Sequence, residues 1–171
     1  SVSASCFVPK PFTPFQWEPQ DTMQQLQEKQ QHLVKSVTTK KISLSWHDSR
    51  TSFLEAVLAR GDRRLGAVLL EAHKRGCNLD AWGEHFRFDT WMQVFHDLGL
   101  DPAFYANRRR AYDEVLPWDH LDYGVTKEFL VEESKKAYQS VTTPNCRQKC
   151  AGCGAACWKG GVCVENRSNP V

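Results

Sequence analysis

The sequence predicts a mainly α-helical fold with one or two short strands, an α+β class. Three observations lead there. Apolar residues recur at helical spacing through the middle of the chain, as in Phe53, Leu54, Val57 and Leu58, or Phe88, Trp91, Met92 and Phe95. Strand-like patterns are confined to residues 1–8 (SVSASCFV) and 41–46 (KISLSW). Four cysteines crowd residues 146–157, a density that suits a small metal knuckle.

The elements follow in order. Residues 1–8 are small, apolar and β-tolerant and stop at Pro9, which predicts a short buried strand. Pro9, Pro11, Pro14 and Pro19 then exclude helix, because each lacks a donor and restricts the residue before it. Phe12, Phe15 and Trp17 make this a stiff loop with aromatic anchors. Asp21 caps a helix to about residue 36, with Met23, Leu26, Leu33 and Val34 inward. Residues 41–46 alternate, placing Ile42, Leu44 and Trp46 on one face of a strand. Asp48 or Ser49 caps a helix through Arg60, and Gly61 is its left-handed stop.

Asp62 opens a further helix with Leu65, Val68 and Leu69 inward, ending at Gly76. The Phe88 stripe forms another, closed by Gly99. At this spacing such a stripe is core rather than a cofactor box. A turn at residues 101–105 and a Pro117 loop come next. Thr126 caps a last helix to about Gln139, with Phe129, Leu130 and Tyr138 inward. The implied domains are 1–20 (strand and Pro-rich loop), 21–140 (helical) and 141–171 (Cys-rich tail).

Composition narrows the class. With 41% hydrophobic and 25% charged residues, the chain is not disordered as a whole. No apolar run approaches the length of a membrane helix. A formal charge of +2 implies no nucleic-acid partner by itself. Residues 37–76 are nevertheless basic, with eight positive and four negative side chains, including Arg60, Arg63, Arg64, Lys74 and Arg75. They read either as a solvated helix face or as an RNA-facing surface.

There are seven cysteines. Only Cys6 and Cys77 fall before residue 146, and a disulfide framework would spread its cysteines more evenly. The clustering indicates metal ligation in a reducing compartment, hence a cytoplasmic protein. The run CRQKCAGCGAAC is C-x3-C-x2-C-x3-C, formed by Cys146, Cys150, Cys153 and Cys157, with Cys163 as a spare. Thiolates suit iron–sulfur iron and zinc. The Cys150-Ala151-Gly152-Cys153 step suits a tight turn with amides aimed at sulfur, which Gly152 and Gly154 permit. Zinc ribbons use two C-x2-C knuckles, and ferredoxin runs have C-x2-C-x2-C-x3-C-P; this run is neither. An iron–sulfur centre is the first reading, zinc the second, and disulfide or unliganded thiols the remainder.

Other polar residues carry paired readings. His47 and Asp48 at a strand end are general acid–base candidates or a surface histidine and a helix cap. Asp119 and His120, in a Pro-marked loop beside Trp118, are catalytic candidates or turn formers. No nucleophile elbow or HExxH supports a hydrolase.

Several runs together carry a resemblance. SVSASCFVPKPFTPFQW contains P-x-P-x-T-P-F and resembles the last barrel strand and following loop of cobalamin-binding-domain radical SAM proteins. SFLEAVLARGDRRLG, DAWGEHFRFDTW, LPWDHLDYGV and TTPNCRQKCAGCGAAC resemble the C-terminal region of an uncharacterised, Fe–S oxidoreductase-like branch of that family. The resemblance spans nearly the whole chain. It implies the last strand of a β/α barrel, a helical cap and an auxiliary cysteine centre. It also implies a cobalamin domain, the catalytic 4Fe–4S cluster and most of the barrel in a preceding part of the protein, because the chain opens mid-pattern without Met. Cys6, Phe7, Val8 and Pro9 would then lie on the S-adenosylmethionine side. Cys146, Cys150 and Cys153 alone spell the C-x3-C-x2-C of the family's catalytic triplet, but they stand late in the chain with Cys157 able to close the centre, so they are read as auxiliary. The partner is the rest of that chain, and the fragment alone is expected to be inactive. The rival reading is a non-enzymatic, zinc-braced helical module that binds RNA or a protein.

Overall fold

The computed structural model describes residues 1–155. The chain is mainly helical with two short parallel strands, an α+β arrangement. It separates into two compact units. One comprises Ser1–Lys10 and Glu18–Arg110; the other comprises Pro11–Trp17 and the chain from Ala111 onward.

The first unit begins with strand β1 (Val2–Ala4), helix α1 (Met23–Ser36) and strand β2 (Leu44–Trp46). The strands pair in parallel, Val2 with Leu44, Ser3 with Ser45 and Ala4 with Trp46. The strand expected to be buried is not: Val2 and Ser3 are exposed, as is Trp46. A parallel pair with wet faces is unusual, because parallel sheets normally lie under cover on both sides. Helix α1 is capped by Thr22 rather than Asp21, through a capping box with Gln25. Leu26 is its buried residue, while Leu33 and Val34 are exposed.

Helices α2 (Ser49–Ala59), α3 (Leu65–Lys74), α4 (Phe88–Asp97) and α5 (Pro102–Ala106) make the core of this unit. Phe53, Leu54, Val57, Leu65, Val68, Ala72, Trp91, Val94, Phe95 and Tyr105 pack as one cluster. The predicted stripes largely meet there, but Leu58 and Leu69 are exposed, and Ala56 and Ala72 are buried on those helices instead. Gly76 (φ +84°) and Gly99 (φ +64°) are left-handed stops. Gly61 is not. It is small for another reason: a Cβ there would lie 2.0 Å from Leu65 Cδ1. Arg60 is fully buried, donating to the carbonyls of Ala106 (2.9 Å) and Arg108 (3.3 Å). Backbone oxygens thereby take up two of its nitrogens inside the unit, Nη1 and Nη2.

The second unit packs Trp17, Leu116, Trp118 and Leu130 with Phe12, Tyr112, Val125 and Phe129. Its helix α6 (Lys127–Tyr138) is capped by Thr126, whose hydroxyl accepts from the Phe129 amide. Leu130 and Ser134 face inward; Tyr138 is exposed. Tyr112 and Ser134 share a hydrogen bond of 3.0 Å beneath the helix.

Candidate functional site

The cysteine run starts where Pro144 ends an extended stretch. Asn145 then opens a single turn: its side chain accepts from the Arg147 amide, and its carbonyl accepts from Gln148 and Lys149. Residues 150 to 153 follow as an irregular loop, without the hydrogen-bonded tight turn that the sequence predicts. Gly152 takes φ +68° and Gly154 φ +95°, conformations that only glycine adopts without strain. The Gly152 amide donates to Cys150 Sγ at 3.5 Å.

This loop is fixed to the second unit. The Thr126 amide donates to the Cys153 carbonyl at 2.9 Å, so the residue that caps α6 also holds the loop. Tyr123 lies close enough for Cys153 to act on it electrostatically. Burial first, and then the negative charge that Cys153 would carry, push the Tyr123 phenol above its ordinary range.

Cys146, Cys150 and Cys153 are free thiols, each partly exposed. Among the described residues, no three His, Cys, Asp or Glu side chains converge into a metal-holding group. Cys146, Cys150 and Cys153 are therefore not gathered around one point. Cys157 and Cys163 lie outside the described residues.

Beside this loop is a pocket of about 410 Å³, lined wholly by the second unit. Asp119 and His120 both line it. Asp119 Oδ2 accepts from Lys127 Nζ at 2.8 Å and from the Leu116 amide at 3.0 Å. Lys127 also donates to the Glu114 carbonyl. Gln16 belongs here too, although no motif marks it. Its amide oxygen accepts from Trp118 Nε1 at 2.7 Å and from the Phe12 amide at 3.0 Å, and Gln16 is only 3% exposed. The partners Gln16 and Trp118 are 102 residues apart, and no local pattern announces such a pair. Phe12 itself sits at φ +59°, a strained setting held by Gln16 and by the Tyr123 hydroxyl on its carbonyl.

The other candidates lie in the first unit. Asp48 caps α2, accepting from the Arg50 and Thr51 amides and from the Arg50 side chain. Burial raises its pKa, but these bonds outweigh it and hold the carboxyl below its usual range. His47 contributes its backbone: its carbonyl accepts from Gln30 Nε2 at 2.9 Å, while its side chain is exposed. Cys6 donates to that carbonyl at 3.7 Å and accepts from Gln30 at 3.6 Å. Cys6 and Phe7 line a cavity of about 240 Å³ with Asp21 and Lys29. Val8 and Pro9 do not line it; Val8 packs on the core and Pro9 is fully buried.

Four of the eight cations in the basic stretch are held in ion pairs. Arg50 pairs with Asp48, Arg64 with Asp62, Lys74 with Glu71, and Arg75 with Glu71 and Asp97. No helix among the described residues is long and apolar enough to cross a membrane. Comparison with protein-family models, curated proteins and solved structures returned no match to the chain.

Proposed function

We propose that the chain is a segment of a radical S-adenosylmethionine enzyme, carrying an auxiliary thiolate centre distinct from the catalytic cluster. Cys146, Cys150, Cys153 and Cys157 are the ligands. The observation that carries this reading is the 150–154 loop, where the Gly152 amide is directed at Cys150 sulfur, Gly152 and Gly154 take positive φ, and the Cys153 carbonyl is bonded to the Thr126 amide. Such a loop ties part of the cysteine run to the start of α6 before any ion arrives. The four thiolates gather by closing around the ion, since metal binding and folding are coupled in small thiolate sites.

The centre is iron–sulfur, and when bound it braces the tail or relays electrons. The exposed parallel pair β1 and β2 supports the companion proposal, that β1 is the last strand of a larger β/α barrel. Cys6 and Phe7, which line a cavity, are the residues left to face S-adenosylmethionine; partly buried Val8 and buried Pro9 would support them. The larger protein would also hold cobalamin. The rival reading, a zinc-braced module for RNA or a protein, shares the loop. Its RNA form gains little from the basic stretch, where ion pairs already take up four of the cations.

Anaerobic reconstitution with iron and sulfide tests this. The protein should turn brown with broad visible absorption, and Cys153→Ser should lose it. Tight, colourless zinc would replace the iron–sulfur centre by the rival. Retention of neither metal would overturn both.

A further inference from the structure

We infer that the pocket of the second unit binds a small neutral molecule that presents a carbonyl beside an N–H group, the pattern of a carboxamide or a lactam edge. The key residue is Gln16. Both groups that its side-chain oxygen accepts from, the Phe12 amide and Trp118 Nε1, are obligate donors. The orientation of the carboxamide is therefore forced, and its NH2 points the other way. That NH2 has no hydrogen-bond partner among the described residues, although Gln16 is only 3% exposed and lines the pocket. The NH2 is not among the side-chain atoms closed off from solvent, so it meets the cavity as an oriented donor that a ligand acceptor can take over from water.

The charge on the walls selects the acceptor. Asp119, Asp122 and Glu128 face one lysine, Lys127, whose charge Asp119 already balances. The start of α6 favours negative charge, but Glu128 in its first turn meets that need. A carboxylate or phosphate would be repelled, so the group that accepts from Gln16 is a neutral carbonyl. Asp119 supplies the complement. Its Oδ2 is engaged by Lys127 and Leu116, and its Oδ1 takes no hydrogen bond among the described residues. A ligand N–H next to the carbonyl satisfies that oxygen. Phe12 and Tyr123, with ring centroids 4.2 Å apart, form an aromatic wall for a flat ring. The volume of about 410 Å³ suits a small molecule. The strained backbone of Phe12, locked from both sides by pocket residues, fits a site that is pre-organised. None of this depends on the identity of the metal.

The test is a nitrogen–proton NMR titration of the 171-residue chain, following the Gln16 side-chain NH2 and the Trp118 indole N–H. The probes are nicotinamide, nicotinate and uracil. Nicotinamide should shift both signals saturably, with a Kd on the order of millimolar for so small a probe. Nicotinate, equal in shape but anionic, should bind at least tenfold more weakly. Uracil binding more tightly than nicotinamide would assign the lactam edge, and the reverse an exocyclic carboxamide. Gln16→Glu keeps the acceptor for Phe12 and Trp118 but loses the NH2, and should weaken nicotinamide at least tenfold with the indole signal in place. No saturable shift, an equal response to nicotinate, or unchanged affinity in the variant would overturn the proposal. Should that variant not fold, the amide against carboxylate comparison on the unaltered chain decides alone.

Discussion

A Cβ on Gly154 would stand 2.7 Å from Thr126 Cγ2 and 2.9 Å from the Gly124 carbonyl, so the cysteine loop meets the cap of α6 with no space for a side chain. With φ at +95°, Gly154 is fixed twice over, by conformation and by contact. The loop that would hold metal and the helix that lines the pocket therefore share one anchor, Thr126.

Gly154→Ala should undock the loop. Left-handed strain alone costs ~1–3 kcal/mol, and the clash adds to it. Metal retained after dialysis should fall, and the Thr126 amide should exchange with solvent faster. Unchanged exchange would show that the contact is not maintained in solution.

Two glycines of the first unit should behave in opposite ways. Gly66, inside α3, has open space around its Cβ position, so Gly66→Ala should stabilise by ~0.5–1 kcal/mol through helix propensity. Gly61→Ala should destabilise, because its Cβ would overlap Leu65 in the core. Urea unfolding midpoints check the signs.

Phe95, 1% exposed in the core cluster, should cost ~3–5 kcal/mol when cut to alanine. Asp48→Ala should cost only ~1 kcal/mol, the loss of a cap. If Asp48 were instead held for catalysis rather than capping, its removal would leave the unfolding midpoint unmoved.

Acid should weaken the first unit through Asp97. Hydrogen bonds from Gln93, then Arg75 and His96, hold its pKa at about 2 against an ordinary 3.8. A depressed carboxylate adds stability above its unfolded value and loses it as pH falls through the folded one. Stability should thus decline between pH 3.8 and about 2, and Asp97→Asn should flatten that decline. An identical pH profile in the variant would remove Asp97 from the account.

What the sequence could disclose tracks how local the cause is. Thr126 as a cap, and Gly76 and Gly99 as stops, follow from backbone chemistry within a few residues, and they stand in the structure. Gly61 looked like a stop by the same logic, but its reason is a tertiary contact with Leu65. Leu69 fits a helical stripe and yet is exposed, because periodicity does not say how wide the covered face is. The small, apolar run at residues 1–8 suggested a buried strand, yet Val2 and Ser3 are exposed. At the site, the left-handed glycines Gly152 and Gly154 were readable from composition, but the tight turn expected at 150–153 is an irregular loop. The pocket was half readable: Asp119 and His120 stood out in their loop, while Gln16 was hidden in a proline-rich run whose partner lies across the chain.

The second unit draws Gln16 and Trp17 from near the start of the chain and the rest of its core from beyond residue 110. A single protease nick after Arg110 would therefore not release it as a free piece. The clipped halves would stay together through Trp17, still seated in its cluster although covalently owned by the other fragment, and only denaturant would part them.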